Sequence, residues 1–367
     1  MPGEVAAMPF APKYQITPEA AMALMAIEAA RSTVESRPIT PQIIASLRES
    51  ARLLSTHYST QIEGNRLTAA QVQKVIAGQG GFPGRERDER EVSNYYRASA
   101  HAEALAARKG RLREHDIRVL HGLVMDGKAR ATPYRKEQNV IRDGASGGIV
   151  YMPPTAKDVP ALMRALVTWI NREMERRRLP VPVLAALAHY QYATIHPYYD
   201  GNGRTARLLT SLVLHRCGYG LKGIYSLEEY YARNLAGYYA ALAVGKSHNY
   251  YLGRAKADVS DFVEYFGKGM ADAFAKIAAQ SESFNKVADP GKAIDLRELR
   301  PIQRQSLGLF AQNRVITSRE LVKYLGLTAR QGRELCAKWA KEGFLTIESP
   351  SRKSRSYRLA QKWESKL

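Results

Sequence analysis

Twelve consecutive residues constrain this chain more than any other segment: His196-Pro197-Tyr198-Tyr199-Asp200-Gly201-Asn202-Gly203-Arg204-Thr205-Ala206-Arg207. An imidazole, a carboxylate, a Gly-Asn-Gly turn and two arginines three residues apart stand directly before an apolar stripe, Leu208-Leu209 and Leu212-Val213-Leu214. The spacing predicts a polar loop running into a buried helix. Gly201 and Gly203 can take φ > 0 and leave backbone N–H groups on a concave turn, an arrangement that favours anions. A helix starting near Asn202 adds its free N–H groups and the positive end of its dipole. Arg204 and Arg207, at i and i+3, share a face of the first turn. Two guanidinium forks beside an N–H nest suit a di- or triphosphate. Asp200 can hold Mg²⁺, which takes one or two carboxylates plus phosphate oxygens. His196 titrates near neutrality and can accept a hydroxyl proton. The chemistry that fits is phosphate transfer to a hydroxyl, without the G-x-x-x-x-G-K-[ST] order of a Walker loop. Singly, each part is commonplace: a structural histidine before proline, an ordinary turn, a solvated arginine pair. Their fixed order within one short segment is what carries weight.

That segment resembles the H-P-F-x-D-G-N-G-R-x-x-R signature of Fic-domain proteins, which typically transfer AMP from ATP to protein hydroxyls. The one departure is Tyr198 in place of phenylalanine, a ring in a packing role. The resemblance implies His196 as the catalytic base and Mg²⁺ on Asp200. It implies ATP contacts from Gly201, Asn202, Gly203, Arg204, Thr205, Ala206 and Arg207, with His196 and Glu63 at the same site. Downstream, Tyr225, Tyr230-Tyr231 and Tyr238-Tyr239 form an aromatic helical region. Such spacing usually means core or rim packing; the resemblance draws Tyr239 toward the adenine side.

Two further segments bear on that site. Residues 139–153 read as a hairpin: Val140-Ile141 and Ile149-Val150-Tyr151 flank a turn rich in Asp143, Gly144, Gly147 and Gly148. Isolated hairpins have free edges that can pair with an extended peptide. By itself this is equally an ordinary surface hairpin; the resemblance implies a flap that lines up a target side chain. Pro153-Pro154 and Val159-Pro160 then lead into a helix. Residues 59–68, Ser-Thr-Gln-Ile-Glu-Gly-Asn-Arg-Leu-Thr, read alone as a helix end stopped by Gly64-Asn65. They also resemble the family's inhibitory [S/T]-x-x-x-E-[G/N] motif, with Ser59 and Glu63 at the matching positions. The resemblance implies that Glu63 pairs with Arg207, in cis or across a homodimer. A carboxylate there occupies the fork a γ-phosphate needs and repels the triphosphate. The same glutamate could orient water for removal of AMP.

At 367 residues and 45% hydrophobic, the chain has room for two or three domains. No run of eighteen or more uncharged apolar residues marks a membrane span, and the N-terminal segment with Glu4 and Glu19 lacks the pattern of a cleaved leader. Cys217 and Cys336 stand apart in apolar helical contexts, so neither a disulfide framework nor a zinc site is expected. These readings fit a reducing cytoplasm. The formal charge of +20 is uneven: residues 297–367 hold 16 Lys/Arg against 6 Asp/Glu, an asymmetry that asks for its own explanation.

The chain divides accordingly. Residues 1–20, rich in Pro and Ala, read as an extended arm. From about 21 to 130 the pattern is helical, broken at Pro38 and Pro41 and by a loop from Gly78 to Gly84, with a long amphipathic stretch at 92–109. Region 1–114 is read as helical with the inhibitory motif, 115–257 as the Fic core, 258–290 as a helix and a linker at Asp289-Pro290-Gly291, and 291–367 as a separate module. In that module Thr317-Ser318-Arg319-Glu320 fits a capping box, and Gly326-Leu327-Thr328 makes a turn. Thr328 to Lys341 gives a second helix with Leu335 and Trp339 inward and Arg330, Arg333 and Lys341 outward. Phe344 to Ile347 and Ser356 to Leu359 read as strands around the basic loop 351–355. Helix-turn-helix plus basic hairpin resembles a winged helix, whose partner is DNA, protein or a second copy.

The expected fold is mainly α: a Fic-type helical core with a small β-hairpin flap and a C-terminal winged-helix α+β domain. The expected activity is AMP transfer from ATP to a Tyr, Thr or Ser hydroxyl of a protein, this chain included, restrained by Glu63. Its rivals are a DNA-binding regulator whose core senses nucleotide, and a Glu63-dependent protein de-AMPylase.

Overall fold

The computed structural model describes residues 10–37, 39–142, 147–284, 299–351 and 355–364. Residues 10–17 run extended over the surface: Phe10 packs edge-on against Trp169, ring centroids 5.0 Å apart, and the Lys13 carbonyl accepts the Val259 N–H. Helix α1 (Pro18–Glu35) begins a few residues earlier than periodicity predicts, because Thr17 caps it. The Thr17 hydroxyl accepts from Ala20 N–H at 3.0 Å and donates to Glu264 at 2.7 Å, and Pro18 suits the first helical position. The same Thr-Pro device starts α2 (Pro41–Ile62) at Thr40. Helices α3 (Ala69–Ile76), α4 (Glu86–Ala107) and α5 (Glu114–Asp126) follow. Between α3 and α4 the expected glycine loop is held by Glu89, whose carboxylate accepts the N–H groups of Gly81 and Phe82.

The hairpin pairs β1 (Ile141–Arg142) with β2 (Ile149–Tyr151), antiparallel, with Ile141 opposite Tyr151. Its first strand lies one residue later than the Val140-Ile141 expected. Tyr151 sets that register: its ring is buried and its hydroxyl donates to the Thr194 carbonyl at 2.7 Å. Asp143 and Gly144 of the expected turn fall outside the described residues. The hairpin is not isolated. Beyond β2, Met152 N–H donates to the His248 carbonyl and Tyr250 N–H to the Met152 carbonyl, so one edge is already tied to the body.

Helices α6 (Val159–Arg176), α7 (Val181–Ile195), α8 (Asn202–Arg216), α9 (Glu228–Arg233), α10 (Leu235–Leu242) and α11 (Ser260–Phe284) complete the main body. α7 is buried almost all round, as its near-absence of charge requires, and packs against α6, α8 and α11. α8 turns Leu208, Leu209, Leu212, Val213 and Leu214 inward. One apolar cluster from Ile27 to Phe274 unites these helices with α1, α4 and α5.

The C-terminal residues build a second cluster, from Leu299 to Trp363. Its elements are α12 (Pro301–Gln312), β3 (Ile316–Thr317), α13 (Ser318–Leu325), α14 (Ala329–Lys341), β4 (Leu345–Ser349), β5 (Ser356–Leu359) and α15 (Gln361–Glu364). The strands form an antiparallel sheet in the order β3-β5-β4. The Thr317/Glu320 capping box is present, and Gly326, at φ +67°, closes α13. Trp339 is fully buried edge-on against Phe344. Leu335, expected inward, is only half-buried; Gly332, Cys336 and Trp339 form the inner row. Gly332 explains the rotation, since a Cβ there would run into Val322 of α13. The linker Asp289-Pro290-Gly291 and residues 352–354 of the basic loop lie outside the described residues. Both cysteines are free, and among the described residues no helix is long and apolar enough to cross a membrane.

Candidate functional site

The signature loop joins the buried end of α7 to the start of α8, and its shape is imposed by side chains from distant elements. His196 ends α7 in the left-handed conformation, φ 51° and ψ 60°, which is costly for a residue with a Cβ. Arg135 holds it there. The Arg135 Nε donates to the His196 carbonyl at 3.0 Å, its backbone N–H donates to the Pro197 carbonyl at 3.0 Å, and its Nη2 donates to the Pro154 carbonyl. This buried arginine ties the loop to the base of the hairpin. Further on, Asn202 folds back: its carboxamide accepts Tyr198 N–H at 3.0 Å and donates to the Tyr198 carbonyl at 2.8 Å, an acceptor shared with Asn139. Tyr198, in the packing role expected, stacks face to face on His121 at 3.5 Å and 9°.

His121 does more than pack. Its Nε2 lies 2.9 Å from the Asp200 carbonyl and its Nδ1 2.7 Å from the Thr132 hydroxyl. A carbonyl can only accept, so Nε2 carries the proton and Thr132 donates to Nδ1. Burial pulls the His121 pKa down to about 4, which keeps this neutral tautomer in place. Gly201 is the position where this wedge requires glycine: φ is +75°, and a Cβ would run into Met125 Sδ.

His196 has the complementary arrangement. Its Nδ1 sits 3.3 Å from the Ala193 carbonyl, so in the neutral ring the proton is on Nδ1 and the Nε2 lone pair is left for another group. Burial lowers its pKa to about 4, against opposing pulls from the Ala193 carbonyl, Glu63 and Asp200. The ring is a free base across the neutral range.

At the start of α8 the first intrahelical bond is that of Thr205 N–H to the Gly201 carbonyl. The N–H groups of Asn202, Gly203 and Arg204 precede it and point toward the helix mouth. The half-exposed Asp200 carboxylate accepts from Gly201 N–H at 2.6 Å and from Arg204 Nη2 at 3.1 Å. Arg204, itself buried, also lies 3.8 Å from Glu91 of α4. Arg207 is fully enclosed. Its Nε donates to Ser59 Oγ, and its Nη2 to the Ser59 carbonyl and to Glu63 Oε1, each at 2.8 Å. Its Nη1 has no partner among the described residues. Burial alone would lower the Arg207 pKa; Glu63, together with Tyr238 and Tyr95, offsets this and the net shift is upward.

The sequence expectation for Gly203 needs correction. Only Gly201 has φ > 0; Gly203 is helical. Its lack of a side chain matters for another reason: a Cβ there would meet Glu63 Oε1. The Glu63 carboxylate therefore rests on the α8 N-terminus as well as on Arg207, where an anion would bind. Thr205 and Ala206, expected at the ligand, face the core; the Thr205 hydroxyl donates to the Gly201 carbonyl at 2.8 Å. The Asn202 side chain is committed to Tyr198, which leaves its backbone N–H for a ligand. Tyr239 is half-exposed at the rim, its hydroxyl 3.5 Å from the Ile62 carbonyl next to Glu63. Thus His196, Asp200, Gly203, Arg204, Arg207, Ser59, Glu63 and Tyr239 gather at one mouth, while Thr205 and Ala206 do not. Sequence reasoning missed Arg135, His121 and Glu91. A metal ion would need ligands from outside the chain: no group of three or more His, Cys, Asp or Glu among the described residues could hold one. Asp200 with the oxygens of a bound phosphate is a donor set that fits Mg²⁺.

Residues 111–214 match the Fic/DOC family. Protein adenylyltransferase Fic of Drosophila willistoni is 30% identical over 199 residues, 53% of this chain and 38% of the relative. Its counterpart in Drosophila grimshawi is 34% identical over 166 residues, 44% of this chain and 33% of the relative. The matched segment is thus little more than a third of these curated relatives. Among solved structures, a Fic family protein of Desulfovibrio desulfuricans G20 aligns over 96% of this chain and 99% of its own, at 26% identity and a TM-score of 0.60. A Fic-domain signaling protein of Bacteroides thetaiotaomicron aligns over 71% and 97%, at 25% identity and a TM-score of 0.61. The chain carries a Fic domain.

Proposed function

We propose that this Fic domain transfers AMP from ATP to a Tyr, Thr or Ser hydroxyl of a protein, this chain included, and that Glu63 restrains it. The observation that carries the reading is the His196 tautomer: an unprotonated Nε2 at the mouth of a helix N-terminus that is already receiving a carboxylate. In this reading the ATP phosphates lie on the N–H groups of residues 202–204, with Arg204 and Arg207 as forks. Tyr239 borders the adenine. Asp200 would hold Mg²⁺, which neutralises phosphate charge when bound. The hairpin presents the target hydroxyl by its open side. His196 Nε2 takes the hydroxyl proton, the oxygen bonds to the α-phosphorus, and the bond to the β-phosphate oxygen breaks, releasing diphosphate. Catalysis rests on positioning and charge neutralisation, the usual pattern of phosphoryl transfer. Incubation with α-labelled and γ-labelled ATP tests this: the α label alone should reach protein, and His196→Ala should abolish it. Transfer at wild-type level in His196→Ala would refute the assignment.

The same Glu63 position, over Gly203 and within electrostatic reach of His196, favours a second reading, a water-directing role in removing AMP from protein; release of AMP from pre-labelled target that disappears in Glu63→Gly would identify it. Treating 291–367 as its own module is supported by its separate apolar cluster, whereas regions 1–114 and 115–257 share one. Exposed Arg330, Arg333, Lys338 and Lys341 on α14 support DNA as a partner of that module. Salt-dependent binding of the whole chain to duplex DNA, weakened by Arg330→Ala with Arg333→Ala, is the expected result; no binding at low salt would leave protein partners or a homodimer contact.

A further inference from the structure

Helix α2 is held from two sides. One row of its residues, spaced four apart, faces the Fic body: Ser55 donates to Glu228 at 2.8 Å, Ser59 accepts from Arg207, and Glu63 pairs with Arg207. About half a turn away, a second row faces the C-terminal module. There Leu53, Leu54 and His57 share a cavity wall with Ile302 of α12 and with Leu325 and Leu327 at the turn between α13 and α14. The turn of Gly326 to Thr328 shares a second cavity with His57 and Gln61 of α2 and with Asn65 just beyond its end.

The two seams differ in kind. The body side is fastened by short polar contacts, with Tyr96 to Glu49 at 2.6 Å and Arg52 to Glu103 at 2.7 Å besides those above. The module side is mixed: Leu53, Leu54, Ile302, Leu325 and Leu327 line one part, Gln61, Asn65, Thr328 and Gln331 another, and Arg304 Nη1 donates a long hydrogen bond of 3.4 Å to Ser46 Oγ. It also contains a buried polar atom, His57 Nδ1, that has no hydrogen-bond partner among the described residues. An unsatisfied buried group weakens a seam; the body side carries one too, Arg207 Nη1, but its guanidinium is held there by three other hydrogen bonds. Beyond Thr60 the chain is held by the buried Ile62, by Glu63 on Arg207 and by Asn65, whose side chain reaches the Asp88 carbonyl and Glu91.

We propose that the C-terminal module is the clamp of the inhibitory helix: seated on the back of α2, it holds Ser59 and Glu63 against Arg207, and lifting it loosens that grip. The proposal rests on the reading of Glu63 as inhibitory, but it makes a claim about α2 that can be checked without any catalysis. Two variants of the full chain open the seam. Leu327→Glu with Ile302→Glu places charge in the apolar contact, and Arg304→Glu sets a carboxylate beside Glu49 while sparing the module's core.

Amide hydrogen exchange of residues 59–65 is the primary readout, with solution scattering to confirm that the module has moved and Trp339 fluorescence to confirm that it is folded. Several-fold faster exchange at 59–65, with α7 and α8 unchanged, is the expected result. α-Labelled AMP transfer should then rise toward the level of Glu63→Gly, and adding Glu63→Gly should raise it no further. Faster exchange with no transfer in any variant, Glu63→Gly included, would uphold the clamp and overturn the AMP-transfer reading. A displaced module with unchanged exchange at 59–65 would overturn the clamp. Should the double variant unfold the module, Arg304→Glu decides by the same criteria.

Discussion

Replacing Glu63 with glycine isolates the contact on which the proposed restraint of this site depends. In the structure Glu63 Oε1 takes one charge-assisted hydrogen bond from Arg207 Nη2 at 2.8 Å and lies over Gly203 at the α8 N-terminus. The arginine is almost wholly enclosed, while the carboxylate keeps about a quarter of its surface in solvent, 28%. A hydrogen bond to a charged group in such a setting contributes about 1.5–3 kcal/mol. If a γ-phosphate must displace that carboxylate, the same free energy weakens productive ATP binding, and at 1.4 kcal/mol per decade it amounts to roughly 10- to 150-fold. Glu63→Gly should therefore tighten ATP by about that factor and raise AMP transfer in step. AMP, with no γ-phosphate, should change much less. Calorimetric titration of both nucleotides against both proteins, with α-labelled ATP transfer in parallel, gives the comparison. Glu63→Gln, which keeps the shape and loses the charge, should fall between the two. Unchanged ATP affinity and unchanged transfer in Glu63→Gly would refute the argument, because the pair would then not stand in the way of the phosphate.

Arg207→Ala should weaken ATP more than AMP, measured in the same titration; equal losses would remove the γ-phosphate from Arg207. The pH profile should also be unusual. A base must be unprotonated, and with the His196 pKa lowered by burial to about 4, kcat/KM should stay level from pH 8 to about pH 5 and decline only as the pH nears 4. A decline centred at 6.5, the ordinary imidazole value, would place the base in a different environment from the one observed.

What the sequence makes legible follows from how the contacts are spaced along the chain. The signature could be read because its parts are consecutive, and a loop entering a helix puts neighbours in sequence at one mouth in space. Ser59 and Glu63 lie about 145 residues from Arg207, and no local rule connects them; only the family motif does. Arg135 and His121 act on the loop across separations of 61 and 79 residues. One looks like any histidine on a helix and the other like any arginine in a loop until the backbone carbonyls they serve are in place. Thr205 and Ala206 are a different case. At 100° per residue Thr205 lies opposite the face shared by Gly203 and Arg207, so periodicity alone could have excluded it; Ala206, no farther round the helix than Arg204, is set apart only by its place in the apolar cluster. Gly203 carries the sharpest lesson. As a sequence letter it suggests a turn with φ > 0, yet it is helical, and its missing Cβ makes the space that Glu63 fills. The same gap would admit a phosphate to the α8 N-terminus. In the proposed reading cradle and restraint compete for one volume rather than communicate over a distance, so any residue that seats Glu63 more firmly should weaken anion binding by the same free energy.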